Sequence, residues 1–213
     1  MSGLRSSNID VRAKVGRQIG AACRDKGFFY VTGHEISSAL QQRVIDQAAK
    51  LFALPPEEKA KVDKSLSQAN RGYEPLRNQV LEAGAPADVK EGFYIGQDKP
   101  LDHPDVLNGK FNQGPNLWPE ALPEFRATME QYQRELEGVA QLLMQGVALS
   151  LGLPEQHFAS FCHDAMTTLR LLHYPPQSPS AAPGEKGCGA HTDWGGLTPV
   201  SYTHLTLPTN REV

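Results

Sequence analysis

Features typical of membrane, secreted and nucleic-acid-binding proteins are missing from this sequence of 213 residues. No uninterrupted apolar run approaches the roughly 20 residues that span a bilayer. The start, MSGLRSSNID, lacks the apolar core of a signal peptide. The formal net charge is -3, with no dense patch of Lys or Arg. We therefore expect neither a membrane nor a nucleic-acid partner.

Cysteine is also scarce. The three cysteines, Cys23, Cys162 and Cys188, are scattered and form no CxxC pair. This distribution favours reduced thiols and a cytoplasmic location over a disulfide framework. Hydrophobic residues make up 39% and charged residues 21% of the chain, as in globular proteins. The length suits one domain with a sizeable core, or a large part of a bigger one.

Helical patterns dominate the first 150 residues. Asp10 is a candidate cap for a first helix, and Ser37 or Ser38 for a second. The segment LPPEEKAKV predicts a third helix with Pro56 near its first turn. The longest periodic segment runs from 123 to 151, with apolar residues at steps of three and four.

Strand patterns are shorter and lie mostly later in the chain. FFYVTG (28–33) predicts a short buried strand, and VKEGFYIG (89–96) predicts a second within the loop-rich region 65–120. TTLRLLHYPP (167–176) and CGAHTDW (188–194) predict two extended segments near the end. The order is therefore helices first and then strands.

The stretch GCGAHTDWGGLT (187–198) carries the main chemical signal. His191 and Asp193 are two residues apart, and in a strand such residues point to the same face. An imidazole nitrogen and a carboxylate oxygen can then bind one ion, and this donor pair suits a divalent metal such as Fe(II). A 2-His-1-carboxylate site also needs a second histidine from elsewhere. By itself, an H-x-D tripeptide is more often a pair of polar surface residues.

Three stretches together resemble the isopenicillin N synthase-like family of iron- and 2-oxoglutarate-dependent oxygenases. They are AACRDKGFFYVTGHEI (21–36), LRLLHYPPQ (169–177) and GCGAHTDWGGLT (187–198). The resemblance implies an α+β fold, in which a helical N-terminal part precedes a double-stranded β-helix (jelly roll) that is incomplete in this chain. It also implies Fe(II), 2-oxoglutarate as cosubstrate, O2 and a small-molecule substrate.

The resemblance assigns roles to individual residues. His191 and Asp193 match the first two iron ligands, and Tyr174 matches a tyrosine that positions the cosubstrate carboxylate. Tyr174 is equally well explained as a half-buried strand residue. Arg170 shares a strand face with Tyr174, so it is a candidate partner for a carboxylate of substrate or cosubstrate, although a solvent-facing arginine is favoured. Leu172 stands where many plant members have an asparagine.

Two neighbours of the H-x-D pair have plainer explanations. Cys188 lies three residues before His191 and could suggest a thiolate ligand, but a small buried hydrophobe is the better interpretation. Trp194 points away from His191 and Asp193 if the strand is regular, so core packing is its expected role.

The sequence departs from the family pattern after Thr198. The family's second iron histidine lies some fifty or more residues beyond the H-x-D motif and is followed by an R-x-S arginine. Neither position is present, and His204 is too close to Asp193 to substitute. The segment SYTHLTLPT resembles a translated sequencing adapter. We therefore interpret the chain as an N-terminal helical and loop region (1–120), a long helix with the first barrel strands (121–199) and a non-native tail (200–213).

These observations leave three hypotheses of function. The first is an Fe(II)- and 2-oxoglutarate-dependent dioxygenase that oxidises a small molecule by hydroxylation, desaturation, ring closure or ethylene formation, and that is inactive as this shortened chain. The second is a non-catalytic fragment or interaction module. The third and weakest is a metal-dependent isomerase, or another small barrel enzyme, that uses the H-x-D pair without 2-oxoglutarate.

Overall fold

A computed structural model describes residues 1–82, 84–176 and 184–202. Three long helices are present, α1 (Ile9–Asp25), α2 (Ser38–Phe52) and α5 (Phe125–Ser150). Short helices are α3 (Pro56–Ala60), α4 (Pro104–Leu107) and α6 (Ala159–Cys162), and 3-10 turns lie at Ser2–Arg5 and Lys64–Leu66. The strands are β1 (Gly72–Glu74), β2 (Glu91–Gly96) and β3 (Thr168–His173).

The helix boundaries largely follow the sequence signals. Ser37 caps α2 by accepting a hydrogen bond from Leu40 N, and Pro56 begins α3, as predicted. The predicted Asp10 cap of α1 is wrong, because the Asn8 side chain accepts from Asp10 N and the cap lies two residues earlier. Asp10 instead lies in the first turn, where its negative charge interacts favourably with the helix dipole.

Helices α1 and α5 pack closely at glycine. A Cβ placed on Gly16 would lie 2.7 Å from Leu149 Cβ and 3.3 Å from the backbone oxygen of Gly146. On the facing helix, a Cβ on Gly146 would lie 2.6 Å from Ile19 Cδ1. Because neither position has room for a side chain, the two helix backbones approach more closely than larger residues would allow.

The strands form one antiparallel sheet in the order β1-β2-β3, with β2 in the centre. Tyr73, Phe93 and Leu171 are register partners across the sheet and are all buried. Phe93 meets Phe125 of α5 edge to face, with ring centroids 5.4 Å apart. One sheet face therefore packs on the long helix, and the opposite face carries the alternate residues.

Two predicted strands are not found. Residues 28–33 pair with no other strand. The carbonyl groups at the end of this segment bind the N-terminal region instead: Thr32 O accepts from the Met1 amino group, and Gly33 O accepts from Arg5 Nη1. Residues 188–194 are extended or bent and are also outside any strand. The amides of Gly189 and Ala190 donate to the side chains of Asp88 and Glu82 instead of to a neighbouring strand.

The three cysteines are free thiols, as predicted. No helix in the described part of the chain combines the length and apolar character required to cross a bilayer.

Glycine→alanine substitution should have opposite effects on stability at the contact between α1 and α5 and away from it. Gly16→Ala should lower the free energy of unfolding by about 1–3 kcal/mol, because the added methyl group overpacks the helix crossing. Gly138→Ala should raise it by about 0.5–1 kcal/mol, because Gly138 lies in α5 with open space around it. Urea denaturation measures both. A stabilising Gly16→Ala would contradict the close crossing.

Candidate metal and cosubstrate site

The two candidate metal ligands lie on a segment that crosses the end of the sheet. We call residues 186–193 the ligand loop. Val89 N donates a hydrogen bond to Lys186 O at 2.8 Å, and Gly189 N donates to Asp88 Oδ1 at 2.9 Å. Two hydrogen bonds therefore attach the ligand loop to the segment that leads into β2.

Within the ligand loop, His191 and Asp193 face one another. Nε2 of His191 lies 3.4 Å from Oδ1 of Asp193. On the other side of the ring, Nδ1 of His191 is 2.8 Å from Gly189 O. A carbonyl oxygen only accepts, so Nδ1 carries the proton and donates. This hydrogen bond orients the ring so that Nε2 faces the carboxylate.

This arrangement fits a bound divalent ion. Two donors that each lie about 2.1 Å from one ion, at a right angle, are about 3 Å apart, close to the separation of Nε2 and Oδ1. Two lone-pair-bearing atoms that face each other in this way repel unless a cation lies between them, either a proton on the ring or a metal. The predicted pairing of the side chains of His191 and Asp193 thus occurs, although the residues lie outside a strand.

Among the described residues, no further side chain joins the two candidate metal ligands. Within 1–82, 84–176 and 184–202, no three or more side chains of His, Cys, Asp and Glu converge on one point. His204, which is too close to Asp193 in the sequence to be the family's second histidine, lies outside the described residues. His191 and Asp193 are therefore the two candidate donors among the described residues.

Tyr174 lies beside the ligand loop, just beyond the end of β3. Its ring packs on Gly187, where a Cβ would approach Tyr174 Cδ1 to 2.9 Å. Burial, with a smaller contribution from the neighbouring Cys188, raises the pKa of the Tyr174 hydroxyl to about 12. The phenol therefore stays protonated at neutral pH and is able to donate a hydrogen bond to an anion.

Arg170 lies on the same side of the sheet but is bound within the protein. Its Nη2 donates to Glu74 Oε2 at 3.0 Å and to Gln79 Oε1 at 2.9 Å, and the guanidinium stacks over Tyr94. The expectation of a solvent-facing arginine is wrong, because only 26% of the side chain is exposed. Arg170 Nε is buried against Gly92 and has no hydrogen-bond partner among the described residues.

Glu74 organises the polar face of the sheet. Its carboxylate accepts from Lys64 Nζ at 2.6 Å and from the Tyr94 hydroxyl at 2.9 Å, besides Arg170. Burial alone would raise the pKa of Glu74, but the hydrogen bonds from Lys64 and Tyr94 and the charge of Arg170 hold it below 4.5. Glu74 therefore stays ionised and keeps Arg170 in place.

Sequence reasoning missed the residues that support the ligand loop. Asp88 and Lys90 form an ion pair of 2.5 Å between nearly inaccessible side chains, and Lys90 Nζ also lies 3.3 Å from Cys188 Sγ. Two opposite charges at alternate positions before a strand indicate a buried ion pair. They do not indicate that Asp88 also binds Gly189, which is 101 residues away in the chain. Cys188 is only half-buried and has polar neighbours, so its interpretation as a buried hydrophobe is wrong.

The predicted packing role of Trp194 is also wrong. The side chain is 96% exposed, because the segment that carries it leaves the sheet edge instead of continuing as a regular strand.

Comparison with protein families gives one match. The model of the family described as "non-haem dioxygenase in morphine synthesis N-terminal" matches residues 1–121. The match covers more than half of the chain and includes α1, α2, α3, β1 and β2.

Comparison with individual proteins gives relatives of similar description. The 2-oxoglutarate-Fe(II) type oxidoreductase hxnY of Emericella nidulans is 43% identical over 191 residues, which cover 88% of this chain and 55% of hxnY. The 2-oxoglutarate-dependent dioxygenase citB of Monascus ruber is 42% identical over 202 residues, which cover 92% of this chain and 60% of citB. The chain thus spans little more than half the length of these relatives.

Among solved structures, a full-length Neurospora crassa protein in complex with alpha-KG aligns with a TM-score of 0.76 at 28% identity, over 91% of this chain and 60% of that protein. A second structure of the same Neurospora crassa protein contains both alpha-KG and thymine and aligns with a TM-score of 0.75. The backbone described above is therefore shared with an alpha-KG-binding protein.

The Glu74 cluster predicts a specific pH dependence. Because the pKa of Glu74 is lower in the folded state than the ordinary 4.5, its stabilising effect is present above pH 4.5 and is lost as the pH falls through the folded-state value. Glu74→Gln should lower the free energy of unfolding by about 1–3 kcal/mol at pH 7 and flatten its fall in acid. Urea denaturation between pH 3 and 7 measures this.

Glu120→Gln is the control for this experiment, since it removes an exposed carboxyl outside the cluster. An acid dependence of Glu74→Gln as steep as that of the wild type would contradict the proposed role of the cluster.

Proposed function

Since this chain belongs to the family of Fe(II)- and 2-oxoglutarate-dependent oxygenases, we propose that the protein is a dioxygenase that oxidises a small organic molecule with 2-oxoglutarate and O2. The observation that carries the proposal is the His191–Asp193 pair, with Nε2 and Oδ1 facing each other at 3.4 Å. The alignment with the alpha-KG-bound Neurospora crassa protein supports the choice of cosubstrate.

His191 and Asp193 would hold Fe(II). When bound, the metal supplies the redox chemistry that couples decarboxylation of 2-oxoglutarate to oxidation of a substrate C–H bond. The imidazole contributes a neutral nitrogen donor whose orientation is fixed by Gly189 O, and Asp193 contributes the anionic oxygen. Nitrogen and carboxylate donors together suit Fe(II) and leave positions open for small ligands.

Tyr174 and Arg170 would bind the anionic cosubstrate or substrate. The Tyr174 hydroxyl is protonated, and the side chain lies beside the ligand loop with 46% of its surface exposed, so it would donate to a carboxylate oxygen. Arg170 would contribute the positive charge of its guanidinium, which Glu74 and Gln79 hold through Nη2. A charged donor of this kind binds a carboxylate more strongly than a neutral one does.

The fold of the family supports an architectural proposal. We infer that residues 1–120 form the N-terminal helical and loop region, which also holds β1 and β2. Residues 121–199 would carry the long helix and the first strand of a jelly roll, β3, which pairs with β2. The segment 200–213, interpreted as a non-native tail, lies mainly outside the described residues.

The reaction class is proposed at the level of C–H oxidation: hydroxylation, desaturation, ring closure or ethylene formation. The thymine in the second Neurospora crassa complex supports a small organic substrate. The alternative of a non-catalytic fragment or interaction module is an outcome of the experiment that follows.

We expect the full-length gene product to consume 2-oxoglutarate and O2 and to form succinate only when Fe(II) is added. His191→Ala and Asp193→Ala should each reduce this turnover by more than the about 10–100-fold typical of losing a group behind a ligand, because each removes a ligand itself. Succinate formation and Fe(II) affinity are the measurements.

His163→Ala is the matched control. It removes an exposed histidine that precedes β3 and lies outside the ligand loop, so it should leave turnover unchanged. If the full-length protein forms no succinate and binds no Fe(II), the oxygenase proposal is wrong and the non-catalytic alternative is supported.

Tyr174→Phe should raise the KM for 2-oxoglutarate by about 10-fold, with a smaller change in kcat, because it removes one hydrogen bond to a charged group. Steady-state kinetics with varied 2-oxoglutarate measure this effect. Tyr30→Phe, at an exposed tyrosine outside the site, is the control. An unchanged KM in Tyr174→Phe would assign Tyr174 to strand packing alone.

A further inference from the structure

The ligand loop is attached to the protein at a buried charged pair. Asp88 and Lys90 lie on the approach to β2, and their side chains are 3% and 2% exposed. Burying two charges costs several kcal/mol of solvation per ion, and a close partner offsets that cost only when the remaining hydrogen-bonding positions are filled. Here they are filled, in part, by the ligand loop.

The two carboxylate oxygens of Asp88 have separate partners. Oδ2 accepts from Lys90 Nζ at 2.5 Å, and Oδ1 accepts from Gly189 N at 2.9 Å. The backbone at Asp88 is itself held, since its N–H donates to Gln79 O at 2.8 Å. Asp88 is therefore a rigid acceptor in a dry environment, where a hydrogen bond to a charged group is strong.

Gly189 passes this constraint to the imidazole. Its N–H is bound to Asp88, and its carbonyl oxygen accepts from His191 Nδ1 at 2.8 Å. The residue fits closely: a Cβ would lie 3.0 Å from Glu82 Cβ and 3.3 Å from Asp88 Oδ1. One residue thus joins the buried carboxylate to the ring of the candidate metal ligand.

We propose that Asp88, charge-balanced by Lys90, is a positioning residue that orients His191 for metal binding through Gly189. This inference rests on the proposed function, because it concerns the same metal site. Asp88 does not touch the metal. Its effect is on the direction of Nε2, because a rotation of Gly189 would turn the carbonyl that fixes the ring.

Two double variants that differ in one side chain test the proposal. Asp88→Ala with Lys90→Met removes both charges and leaves Gly189 N without its acceptor. Asp88→Asn with Lys90→Met also removes both charges but keeps an amide oxygen in place of Oδ1. Neither leaves a lone buried charge, which single substitutions would do at a cost of about 3–5 kcal/mol.

The measurements are Co(II) and Fe(II) affinity of the full-length protein, hydrogen exchange at Gly189 without metal, and the Tm. We expect the Ala/Met variant to bind metal about 10–100-fold more weakly and to exchange the Gly189 amide faster. The Asn/Met variant should remain near the wild type in both. Lys59→Met breaks the Lys59–Glu91 pair, which does not contact the ligand loop, and controls for stability loss alone.

Equal metal affinity in the two double variants overturns the proposal, whether both match the wild type or both are weakened together with the Tm. A loss of affinity in Lys59→Met as large as in the Ala/Met variant also overturns it. Failure of the proposed function looks different, because the wild type would then bind no metal while the exchange difference between the double variants persisted.

Discussion

Hydrogen bonding along both edges of β2 is the constraint on which the rest of the structure depends. The strand pairs with β1 on one edge and β3 on the other, and its side chains point alternately to the apolar core and to the polar face of the sheet. Phe93 and Ile95 enter the core against the long helix, while Tyr94 supports Arg170 on the opposite face. A shift of register by one residue would exchange these faces, so the helical core fixes the polar face as well.

Several charged side chains are buried around this sheet, and each buried carboxylate of β1 and β2 has a basic partner. Glu91 accepts from the Tyr73 hydroxyl and pairs with Lys59 and His173, and Glu74 pairs with Lys64 and Arg170. Removing the partner of a charge in such a place would lower the free energy of unfolding by about 3–5 kcal/mol. The sheet is therefore held by directional contacts as well as by apolar packing, which gives the groups at its end defined positions.

The sequence predicted those parts of the structure that depend on local pattern. The long helix was predicted at 123–151 and runs from Phe125 to Ser150, because its apolar stripe extends over many turns. Strand β2 was predicted from residue 89 and begins at Glu91. The pairing of His191 with Asp193 was also predicted, since a spacing of two brings the side chains together in any extended backbone.

The remainder depends on contacts that are distant in sequence. Strand β1 has three residues, too few for a pattern. The segment 28–33 has strand composition but lacks a strand neighbour. Asp88 and Lys90 stand at alternate positions before a strand, but the proposed role of Asp88 is defined by Gly189, 101 residues later, and local pattern could not reveal it. The environment of Arg170 was misjudged for the same reason, since Glu74 is 96 residues away from it.

The partner of His191 Nδ1 also bears on the electrostatics of the proposed site. A carboxylate in that position would fix the same tautomer but add a second negative charge near Asp193. The Gly189 carbonyl orients the ring without adding charge. With Asp193 as the anionic donor on this loop, a divalent ion bound there would keep a net positive charge, which favours an anionic dicarboxylate beside it. In the proposed site, the buried charge of Asp88 would act on His191 only through Gly189 and would be neutralised by Lys90, so it would orient the ring without weakening the attraction for an anionic cosubstrate.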